Sequence, residues 1–536
     1  MQDWPLTVDR ILEHAKALHG RQEVVTRSLE GPIVRTSYAE IYRRAKRCSN
    51  LLQHLGVRPG DRVATLAWNT GRHLETWYGI MGIGAICHTL NPRTFADQQR
   101  YIITHAEDKV ILVDLPLLPA LLALRAHLPS VTHIVVLGDP GSVPEGPGLH
   151  AYESLLAQAS EDVAWGGFDE NAPAGLCYTS GTTGNPKGVL YSHRSNFLHT
   201  FMTLAQDVMG LSARAVVLPI VPMFHANAWG LTFSCPAAGA KMVMPGQRLD
   251  GAALQELIET EGVTFAAAVP TVWQGLLDHL RATGAQIGSL RRIMIGGAAA
   301  PEALLRAYRD DYGVEVTHAW GMTEVSPVGT VSTATDEIAA LDADAQLRFN
   351  LKQGRAPLGV ELKLKDEAGQ ALPEDGVQFG RLMVRGPAVA RRYFKDEGGE
   401  ILDEDGYFDT GDMATIDPHG FMQITDRAKD VIKSGGEWIS SIEIENIVAG
   451  HPKVELCAVV AIPHPKWDER PVLLVKLRAD QAATRDDFLD YLQGRIARWW
   501  MPDDVVFLSE IPLGPTGKVD KKRLRADLRG FTAPPT

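Results

Sequence analysis

The sequence predicts an α/β fold: a large N-terminal domain of stacked, mostly parallel sheets with helices plus a small β-barrel, and a smaller α+β C-terminal domain. The chain has 536 residues, enough for more than one domain. Short β-branched runs alternate with helix-like patterns through most of it, which is typical of parallel sheets covered by helices. After residue 428 the pattern becomes a mixture of strands and helices. We therefore predict one domain over residues 1–428 and another over residues 429–536.

The first part of the chain supplies much of the predicted sheet. Residues 1–60 read as helical, with leucines at helical spacing near their end. Residues 62–68, 110–114 and 133–137 are short β-branched runs and are predicted as strands. Residues 75–84 are predicted as a helix. This order of elements indicates parallel strands with helices on both faces.

Later segments predict a buried unit and a smaller antiparallel unit. No charged residue occurs between Arg214 and Lys241, but the prolines in this stretch argue against a membrane-spanning helix. A buried strand, a loop and a buried helix fit it better. Residues 333–353 are acidic and helix-prone, as expected of an exposed segment. Residues 354–385 alternate apolar and polar side chains, which predicts the antiparallel strands of the small barrel.

The composition limits the partners and the compartment. The net charge of −12 would repel nucleic-acid phosphates, so we expect no nucleic-acid partner. The five cysteines are scattered and lack CxxC spacing, which fits a reducing compartment and no structural zinc. The N-terminal residues lack the apolar core of a signal peptide. We therefore expect a cytoplasmic protein without a membrane span.

A glycine-rich stretch between Tyr178 and Gly188 carries the strongest functional signal. It follows an apolar run that reads as a buried strand, and it precedes a predicted helix that begins near Ser195. Glycines let backbone N–H groups turn toward an anion, while hydroxyl groups add donors and Lys187 adds a positive charge. The spacing is not that of a Walker A loop. The alternative interpretation is a hydroxyl-rich surface turn.

Two segments of small and apolar residues are candidates for the walls of a ligand pocket. His225 lies among uncharged residues, with the aromatic Trp229 four positions later. We interpret this segment as a pocket wall, and Trp229 as a cap that limits the length of a bound chain. Residues 296–299 directly follow a predicted strand, and side chains this small let a ligand approach the backbone. The alternative for each segment is packed core.

The remaining signals are short strings that end in polar or charged side chains. In the string His318–Glu324, the aromatic face of Trp320 can stack on adenine and Glu324 offers a hard oxygen ligand for Mg²⁺. Asp412 ends a Y-F-D-T-G-D string and offers a fixed carboxylate as a hydrogen-bond acceptor. Lys518 follows Thr-Gly near the C-terminus. Taken alone, a Thr-Glu pair is usually a helix start and such a lysine a solvated turn residue.

Together these strings resemble the motifs of the adenylate-forming superfamily, which includes acyl-CoA synthetases, peptide-synthetase adenylation domains and beetle luciferases. The resemblance runs from about residue 35 to residue 525. The chain is most similar to bacterial short- and medium-chain acyl-CoA synthetases and 3-methylmercaptopropionyl-CoA ligases. It departs from the superfamily pattern in Trp320, which stands in the usual tyrosine place, and in Arg381 and Asp426, where glutamate and glycine are common.

The resemblance implies a reaction in two halves. A carboxylic acid first attacks the α-phosphate of ATP, giving an acyl-adenylate and pyrophosphate, and the thiol of coenzyme A then forms the thioester and releases AMP. Between the two halves the mobile C-terminal domain would turn about a hinge at Lys429. The implied reactants are therefore a small carboxylic acid, ATP and coenzyme A, with Mg²⁺ as cofactor. A homodimer is also expected from the resemblance.

The resemblance assigns roles to residues that match the motifs. The implied catalytic residues are Lys518, Thr323, Glu324 and His225, and the implied metal ligands are Glu324 and Thr179. ATP would contact Thr179, Ser180, Gly181, Thr182, Thr183, Gly184, Lys187, Gly297, Ala298, Ala299, His318, Ala319, Trp320, Gly321, Met322, Thr323, Asp412, Arg427 and Lys518. Within this set, the resemblance implies that Asp412 binds the ribose hydroxyls. The acyl pocket would be lined by His225, Ala226, Asn227, Trp229, Gly297 and Met322. Coenzyme A would contact Lys433, Ser434, Gly435, Gly436, Glu437 and Trp438.

Five functions remain open at this point. The apolar pocket favours a short or medium aliphatic acid such as 3-(methylthio)propionate, activated by a free-standing AMP-forming acid–thiol ligase. A general medium-chain fatty acid–CoA ligase has the same catalytic residues, and so does an enzyme that loads a separate carrier protein. A luciferase-like oxygenase and a protein that only binds these ligands are the more distant alternatives.

Overall fold

The computed structural model describes residues 1–179, 185–434, 437–514, 518–529 and 531. The helices in these ranges are α1 (Asp9–His19), α2 (Tyr38–His54), α3 (Gly71–Gly82), α4 (Ala96–Ala106), α5 (Leu118–Leu124), α6 (Tyr152–Gln158), α7 (His193–Leu204), α8 (Leu231–Ala238), α9 (Gly251–Glu261), α10 (Pro270–Thr283), α11 (Glu302–Tyr312), α12 (Asp336–Ala339), α13 (Ala343–Leu351), α14 (Ser441–Ala449), α15 (Arg485–Leu492) and α16 (Lys521–Asp527).

The strands of the same ranges are β1 (Glu23–Arg27), β2 (Ile33–Ser37), β3 (Arg62–Leu66), β4 (Ile86–Thr89), β5 (Val110–Asp114), β6 (His133–Leu137), β7 (Leu149–Ala151), β8 (Pro173–Tyr178), β9 (Gly188–Ser192), β10 (Val216–Pro219), β11 (Lys241–Met244), β12 (Phe265–Ala268), β13 (Arg292–Gly296), β14 (Glu315–Gly321), β15 (Val328–Val331), β16 (Glu361–Lys365), β17 (Gly380–Arg385), β18 (Phe408–Ile416), β19 (Met422–Arg427), β20 (Ile432–Ser434), β21 (Glu437–Ile439), β22 (Val454–His464), β23 (Asp468–Leu477) and β24 (Asp504–Phe507).

Two large sheets form the body of the molecule. One has the strand order β7-β6-β5-β3-β4-β8-β9, and the other has the order β15-β14-β13-β12-β10-β11-β1-β2. The neighbouring strands are parallel except at the outer pairs β8–β9, β1–β2 and β14–β15. The largest hydrophobic cluster joins the two sheets through helices α1, α2, α3 and α8. The predicted α/β class with stacked, mostly parallel sheets is therefore confirmed.

Two smaller sheets follow in the chain. Strands β16-β17-β18-β19 form an antiparallel sheet, and β20 to β24 form a mixed sheet that packs on α14 and α15. Thr484 and Asp487 form the capping box expected at the start of α15. The second sheet and its helices agree with the α+β C-terminal domain that the sequence predicts.

Three predictions about local structure are wrong. The four-stranded antiparallel sheet is open and not a closed barrel, since four strands are too few to curl back on themselves. Residues 1–60 are not all helical, because β1 and β2 form a hairpin between α1 and α2. The glycine-rich stretch does not lead directly into a helix, because β9 returns antiparallel to β8 before α7 begins.

The uncharged stretch between Arg214 and Lys241 folds as expected. It forms strand β10, a turn and the buried helix α8. Within the described ranges, no helix is both long enough and apolar enough to cross a membrane. The acidic segment that follows residue 333 forms the short helices α12 and α13, as predicted.

Candidate active site

The candidate site lies where several parallel strands end. Strands β4 and β8 pair in parallel in one sheet, and the pairs β10–β12 and β13–β14 are parallel in the other. The segments that follow these strands carry most of the residues singled out in the sequence. Ligands of open α/β sheets bind at the carboxyl ends of strands, so this topology brings together motifs that are far apart in the chain.

The glycine-rich loop connects β8 to β9. At its base the Thr179 N–H donates to the Lys187 carbonyl over 2.8 Å, and the Lys187 N–H donates to Thr179 Oγ1 over 3.3 Å. These bonds close the loop into a hairpin with Lys187 at its exit. The predicted phosphate ligands Ser180, Gly181, Thr182, Thr183 and Gly184 lie outside the described residues. A cavity beside the loop is lined by Thr89, Asn91, Tyr178, Thr179, Phe224 and His225.

Glu324 is a buried carboxylate with one strong partner. Its exposed fraction is 6%, and Tyr393 Oη donates a hydrogen bond to its Oε1 over 2.8 Å. Burial raises the pKa of Glu324, while the Tyr393 hydrogen bond opposes the rise. The preceding Thr323 is also buried, and its carbonyl accepts a hydrogen bond from Tyr191. Tyr191 thereby anchors the backbone of the Thr-Glu pair.

The chemistry of this carboxylate fits Mg²⁺. In the described ranges no cluster of three or more histidine, cysteine or acidic side chains is arranged to hold a metal. Mg²⁺ in nucleotide sites is usually held by one or two carboxylates together with the substrate phosphates, so a single buried glutamate suffices. The hydrogen bond from Tyr393 occupies Oε1 and is compatible with a metal at Oε2.

Asp412 is held from both sides. Trp320 Nε1 donates to Asp412 Oδ2 over 2.9 Å, and Arg427 Nε pairs with Asp412 Oδ1 over 2.8 Å. The carboxylate has an exposed fraction of 3%. Trp320 was predicted to stack on adenine and Asp412 to bind ribose, but the hydrogen bond between them was not predicted. The structure thus brings together three predicted ATP ligands in one bonded group.

Lys518 reaches this group from the C-terminal domain. Its Cε lies 4.0 Å from the position that a Cβ would take on Gly297. Desolvation in the cleft lowers the pKa of Lys518 to about 8, with Arg427 adding to the lowering and Asp412 opposing it. Part of the Lys518 surface is nevertheless exposed to solvent. The predicted catalytic lysine therefore faces the predicted nucleotide residues.

His225 shares the same cleft. Burial, together with the positive charges of Lys518 and Arg93, lowers the pKa of His225 to about 4. The imidazole is therefore neutral at pH 7 and can donate one hydrogen bond and accept another. It adds no charge to the place where two anionic reactants would meet.

The predicted acyl-pocket segment adopts an unusual backbone. Ala226, Asn227, Ala228 and Trp229 all have φ between 45° and 58°, which forms a left-handed turn of non-glycine residues. This conformation costs roughly 1–2 kcal/mol per residue and needs support from its surroundings. The Asn227 amide donates to Asn196 over 3.3 Å, and the turn is buried.

The turn places the Trp229 ring against strand β13. A Cβ on Gly296 would come within 3.0 Å of Trp229 Cη2. The next residue, Gly297, has φ +83° and faces Lys518. Residues 296–297 therefore lie between the ring of Trp229 and Lys518.

The other predicted nucleotide residues continue from the same strands. Ala298 is exposed and Ala299 is half-buried beyond the end of β13. His318 Nδ1 contacts the Leu351 carbonyl over 3.0 Å and its Nε2 contacts the Ala298 carbonyl over 3.4 Å, so the ring links α13 to the segment after β13. Ala319 and Gly321 pair with β15, and the half-buried Met322 donates its N–H to Pro327.

The predicted hinge is a turn, and the predicted coenzyme A loop follows it. The N–H of Ala428 donates to Gly411, and those of Asp430 and Val431 donate to the Arg427 carbonyl. Farther along, Lys433 pairs with Glu367 over 3.4 Å, and Ser434 accepts a hydrogen bond from Arg470. The backbone of Glu437 and Trp438 belongs to β21. Gly435 and Gly436 lie outside the described residues.

Comparison with known families identifies the family of the chain. A model of the AMP-binding enzyme family matches residues 12–394, and a model of the AMP-binding enzyme C-terminal domain matches residues 443–518. The chain belongs to the AMP-binding enzyme family. The predicted resemblance to adenylate-forming enzymes is thereby confirmed.

The relatives of this AMP-binding enzyme are similar over their full length. The 3-methylmercaptopropionyl-CoA ligase of Ruegeria lacuscaerulensis is 48% identical over 99% of this chain and 98% of its own. The medium-chain fatty acid–CoA ligase of Ectopseudomonas oleovorans is 48% identical over 97% of this chain and 95% of its own. The structure of ATP-bound MatB from Rhodopseudomonas palustris superposes with a TM-score of 0.84 at 26% identity, covering 98% of this chain and 99% of its own.

Sequence patterns missed two side chains of this AMP-binding site. Tyr393, which contacts Glu324, lies in an R-R-Y-F-K-D stretch with no spacing that relates it to the glutamate. Arg93, whose charge acts on His225, follows strand β4 and stacks over Phe224 and Trp68. Strand β4 was not among the predicted strands, so no sequence signal marked Arg93.

Proposed function

We propose that this protein is an AMP-forming acyl-CoA ligase that joins a short aliphatic carboxylic acid to coenzyme A, with 3-methylmercaptopropionate as its preferred acid. The observation that carries the proposal is the position of Lys518 from the C-terminal domain. It lies beside Gly297 and acts electrostatically on His225, Asp412 and Arg427. A cation in such a cleft neutralises the charge that keeps two anions apart.

In the proposed first half-reaction, the chain's main task is to hold two anions together. A carboxylate oxygen of the acid bonds to the α-phosphorus of ATP, and the bond to the leaving pyrophosphate breaks. Lys518 would bind both the carboxylate and the α-phosphate, so that catalysis is mostly positioning and charge neutralisation. Asp412, fixed by Trp320 and Arg427, would hold the ribose hydroxyls. Glu324 and Thr179 would hold Mg²⁺, which supplies further positive charge to the phosphates when bound.

In the proposed second half-reaction, the coenzyme A thiolate attacks the acyl carbonyl of the adenylate and AMP leaves with the bonding electrons. Lys518 would have to withdraw to make room, and a rotation of the C-terminal domain about Lys429 would bring residues 433–438 to the cleft. We also propose the domain division at residues 428 and 429 on this basis. The homodimer stays a prediction.

The acid is proposed from the pocket and from the relatives. The segment around His225 and Trp229 is apolar, which suits an uncharged acyl chain better than a second carboxylate. Two relatives of equal identity are named for 3-methylmercaptopropionate and for medium-chain fatty acids. A thioether chain and an alkyl chain are nearly isosteric, so a general medium-chain fatty acid–CoA ligase is the second candidate.

We place the reaction in the cytoplasm. All five cysteines are free and buried, which agrees with a reducing compartment.

A panel of acids tests the proposed function. AMP release that depends on ATP and coenzyme A is measured with acids from acetate to decanoate, 3-methylmercaptopropionate and benzoate. We expect the highest kcat/KM for 3-methylmercaptopropionate, well above butyrate and hexanoate. A broad optimum on hexanoate to decanoate would favour the second candidate. No AMP release with any acid would contradict both.

A further inference from the structure

Tyr393 contacts both Glu324, the predicted Mg²⁺ ligand, and Lys187, a predicted ligand of the ATP phosphates. Its Oη donates to Glu324 Oε1 over 2.8 Å, and the Nζ of Lys187 lies 4.7 Å from the centroid of its ring. Tyr393 and Glu324 are both nearly buried, with exposed fractions of 9% and 6%. One side chain therefore connects the exit of the glycine-rich loop to the acidic end of the Thr-Glu pair.

We propose that Tyr393 is a positioning residue that orients the metal-binding carboxylate of Glu324 and holds the phosphate-binding lysine Lys187 beside it. This inference rests on the proposed function, because it takes Glu324 as the Mg²⁺ ligand and Lys187 as a ligand of the terminal phosphates.

The contact with Glu324 sets the orientation of the carboxylate, because the hydroxyl of Tyr393 donates a hydrogen bond to Oε1. A phenol bonded to Oε1 fixes the plane of the carboxylate with Oε2 as the remaining ligand. Without the phenol, no hydrogen bond from Tyr393 orients the buried carboxylate before the metal binds.

The contact with Lys187 keeps the lysine near its proposed phosphate without trapping it. An ammonium group over an aromatic face is held more weakly than one in a charge-assisted hydrogen bond. In the described ranges no carboxylate pairs with Lys187 within 4 Å. A Cβ on Gly398 would come within 3.1 Å of the Lys187 Nζ, so the segment after Tyr393 also confines the lysine. Little binding free energy is therefore lost when Lys187 leaves the aromatic ring to bind a phosphate.

The two contacts are separable by mutation. Tyr393→Phe removes the hydroxyl and keeps the ring, whereas Tyr393→Leu removes both. Mn²⁺, used as a spectroscopic probe for Mg²⁺, is titrated by electron paramagnetic resonance into the enzyme with α,β-methylene-ATP, which cannot release pyrophosphate. We expect about tenfold weaker Mn²⁺ binding in Tyr393→Phe. Binding of the analogue in EDTA should be unchanged in Tyr393→Phe and about threefold weaker in Tyr393→Leu.

Kinetics and a second variant separate positioning from support of the fold. In Tyr393→Phe the Mg²⁺ concentration for half-maximal pyrophosphate release should rise about tenfold, and the rate at saturating Mg²⁺ should return to within about twofold of wild type. In a Glu324→Gln background, Tyr393→Phe should cause no further loss of Mn²⁺ affinity. If Tyr393→Phe weakens metal-free analogue binding as much as Mn²⁺ binding, Tyr393 only supports the fold and the inference is overturned.

Glu324→Gln alone distinguishes failure of this inference from failure of the proposed metal site. If Glu324→Gln weakens Mn²⁺ binding and Tyr393→Phe does not, the role of Tyr393 is wrong while Glu324 stays the metal ligand. If Glu324→Gln leaves Mn²⁺ binding unchanged, the metal assignment in the proposed function is overturned, and the role of Tyr393 with it.

Discussion

Trp320 acts on the proposed ribose ligand through a single hydrogen bond. Its Nε1 donates to Asp412 Oδ2 over 2.9 Å in a buried setting, so Trp320→Phe would leave that oxygen without its indole donor. A hydrogen bond to a charged group contributes about 1.5–3 kcal/mol, and the remaining pair with Arg427 limits the loss to the lower end. We expect the KM for ATP to rise roughly tenfold, with the KM for the acid unchanged.

The control for this prediction keeps the indole. In Asp412→Asn the acceptor oxygen can remain while the charge is lost, and a similar rise in the KM for ATP is expected. Steady-state pyrophosphate release at varied ATP and fixed saturating acid measures both variants. An unchanged KM for ATP in Trp320→Phe would show that the ring alone, and not its N–H group, serves the nucleotide.

Lys518 gives the first half-reaction a pH dependence. Its pKa is lowered to about 8 by desolvation, with Arg427 contributing. The protonated lysine is the form that can bind two anions, so kcat/KM for ATP should be constant below the pKa and fall as the pH rises from about 7.5 to 9.5. The pH profile of kcat/KM for pyrophosphate release measures this decrease at high pH.

Lys518→Arg is the matched variant, because its guanidinium stays charged throughout this range. We expect a lower rate but no fall at high pH. A basic limb of the same midpoint in wild type and Lys518→Arg would assign the titration to another group.

At the level of single residues, the sequence predicted the participants better than their contacts. The aromatic ring of Trp320 and the carboxylate of Asp412 suit parts of ATP, whereas Lys518 was predicted from its place in the superfamily motifs. The bond between Trp320 and Asp412 joins positions 92 residues apart, and no local pattern encodes it. Tyr393 was not predicted for the same reason. Its partners Glu324 and Lys187 lie in two other segments of the chain, which come together only in the folded protein.

Strand β13 and the left-handed turn at residues 226–229 form the proposed acyl pocket as one packed unit. In Gly296→Ala, the new methyl group would come within 3.0 Å of both the Trp229 ring and the Ala319 carbonyl. The backbone carbonyl is fixed by the sheet, so the ring must move toward the pocket. Overpacking of this kind costs about 1–3 kcal/mol, and we expect the KM for the acid to rise about tenfold while the KM for ATP changes little.

Gly288→Ala is the control for the pocket variant, since nothing lies within 4 Å of a Cβ at that position. Acid-dependent AMP release should be unaffected in this variant. If Gly296→Ala also leaves the KM for the acid unchanged, Trp229 does not line the acyl site.

At the level of elements, the sequence predicted most parallel strands and missed antiparallel returns. Strands β5 and β6 were predicted from their β-branched runs. Strand β10 and helix α8 were predicted from a stretch without charged residues. Strand β9 is only five residues long and stands directly before a helix, so its pattern is too short to separate it from the helix start. Strands β1 and β2 were also missed. They pair through a turn, and the segments on either side of them have helical spacing, so the whole region was predicted as helical. Whether a short antiparallel sheet closes into a barrel depends on the number of its strands. The alternation of apolar and polar side chains does not specify that number.

For the whole molecule, contacts between the two proposed domains fix the orientation that brings Lys518 to the cleft. The buried Asp426 accepts a hydrogen bond from the Ser441 N–H at the start of α14, and the charge of Lys521 acts on it. The hydroxyl of Ser440 donates a hydrogen bond to the Thr425 carbonyl. These contacts lie around the proposed hinge, so a rotation there would have to break the bond between Asp426 and Ser441.

Because Lys518 and the hinge serve different half-reactions in this proposal, two variants should have opposite effects. Lys518→Ala removes the cation between two anions, which should lower adenylate formation on the order of 100-fold or more. Thioester formation from supplied acyl-AMP should stay within about threefold of wild type, since Lys518 would leave the cleft for that step.

Lys429→Pro should do the reverse. The turn at residues 428–430 is held by the N–H groups of Ala428, Asp430 and Val431, none of which a proline at 429 removes. Adenylate formation should therefore persist, whereas a fixed φ at the hinge should block the rotation and the thioester step. Pyrophosphate release and acyl-CoA formation from acyl-AMP are measured separately in each variant. Equal loss of both half-reactions in Lys518→Ala, or full activity of Lys429→Pro in both, would contradict alternation of the C-terminal domain about this turn.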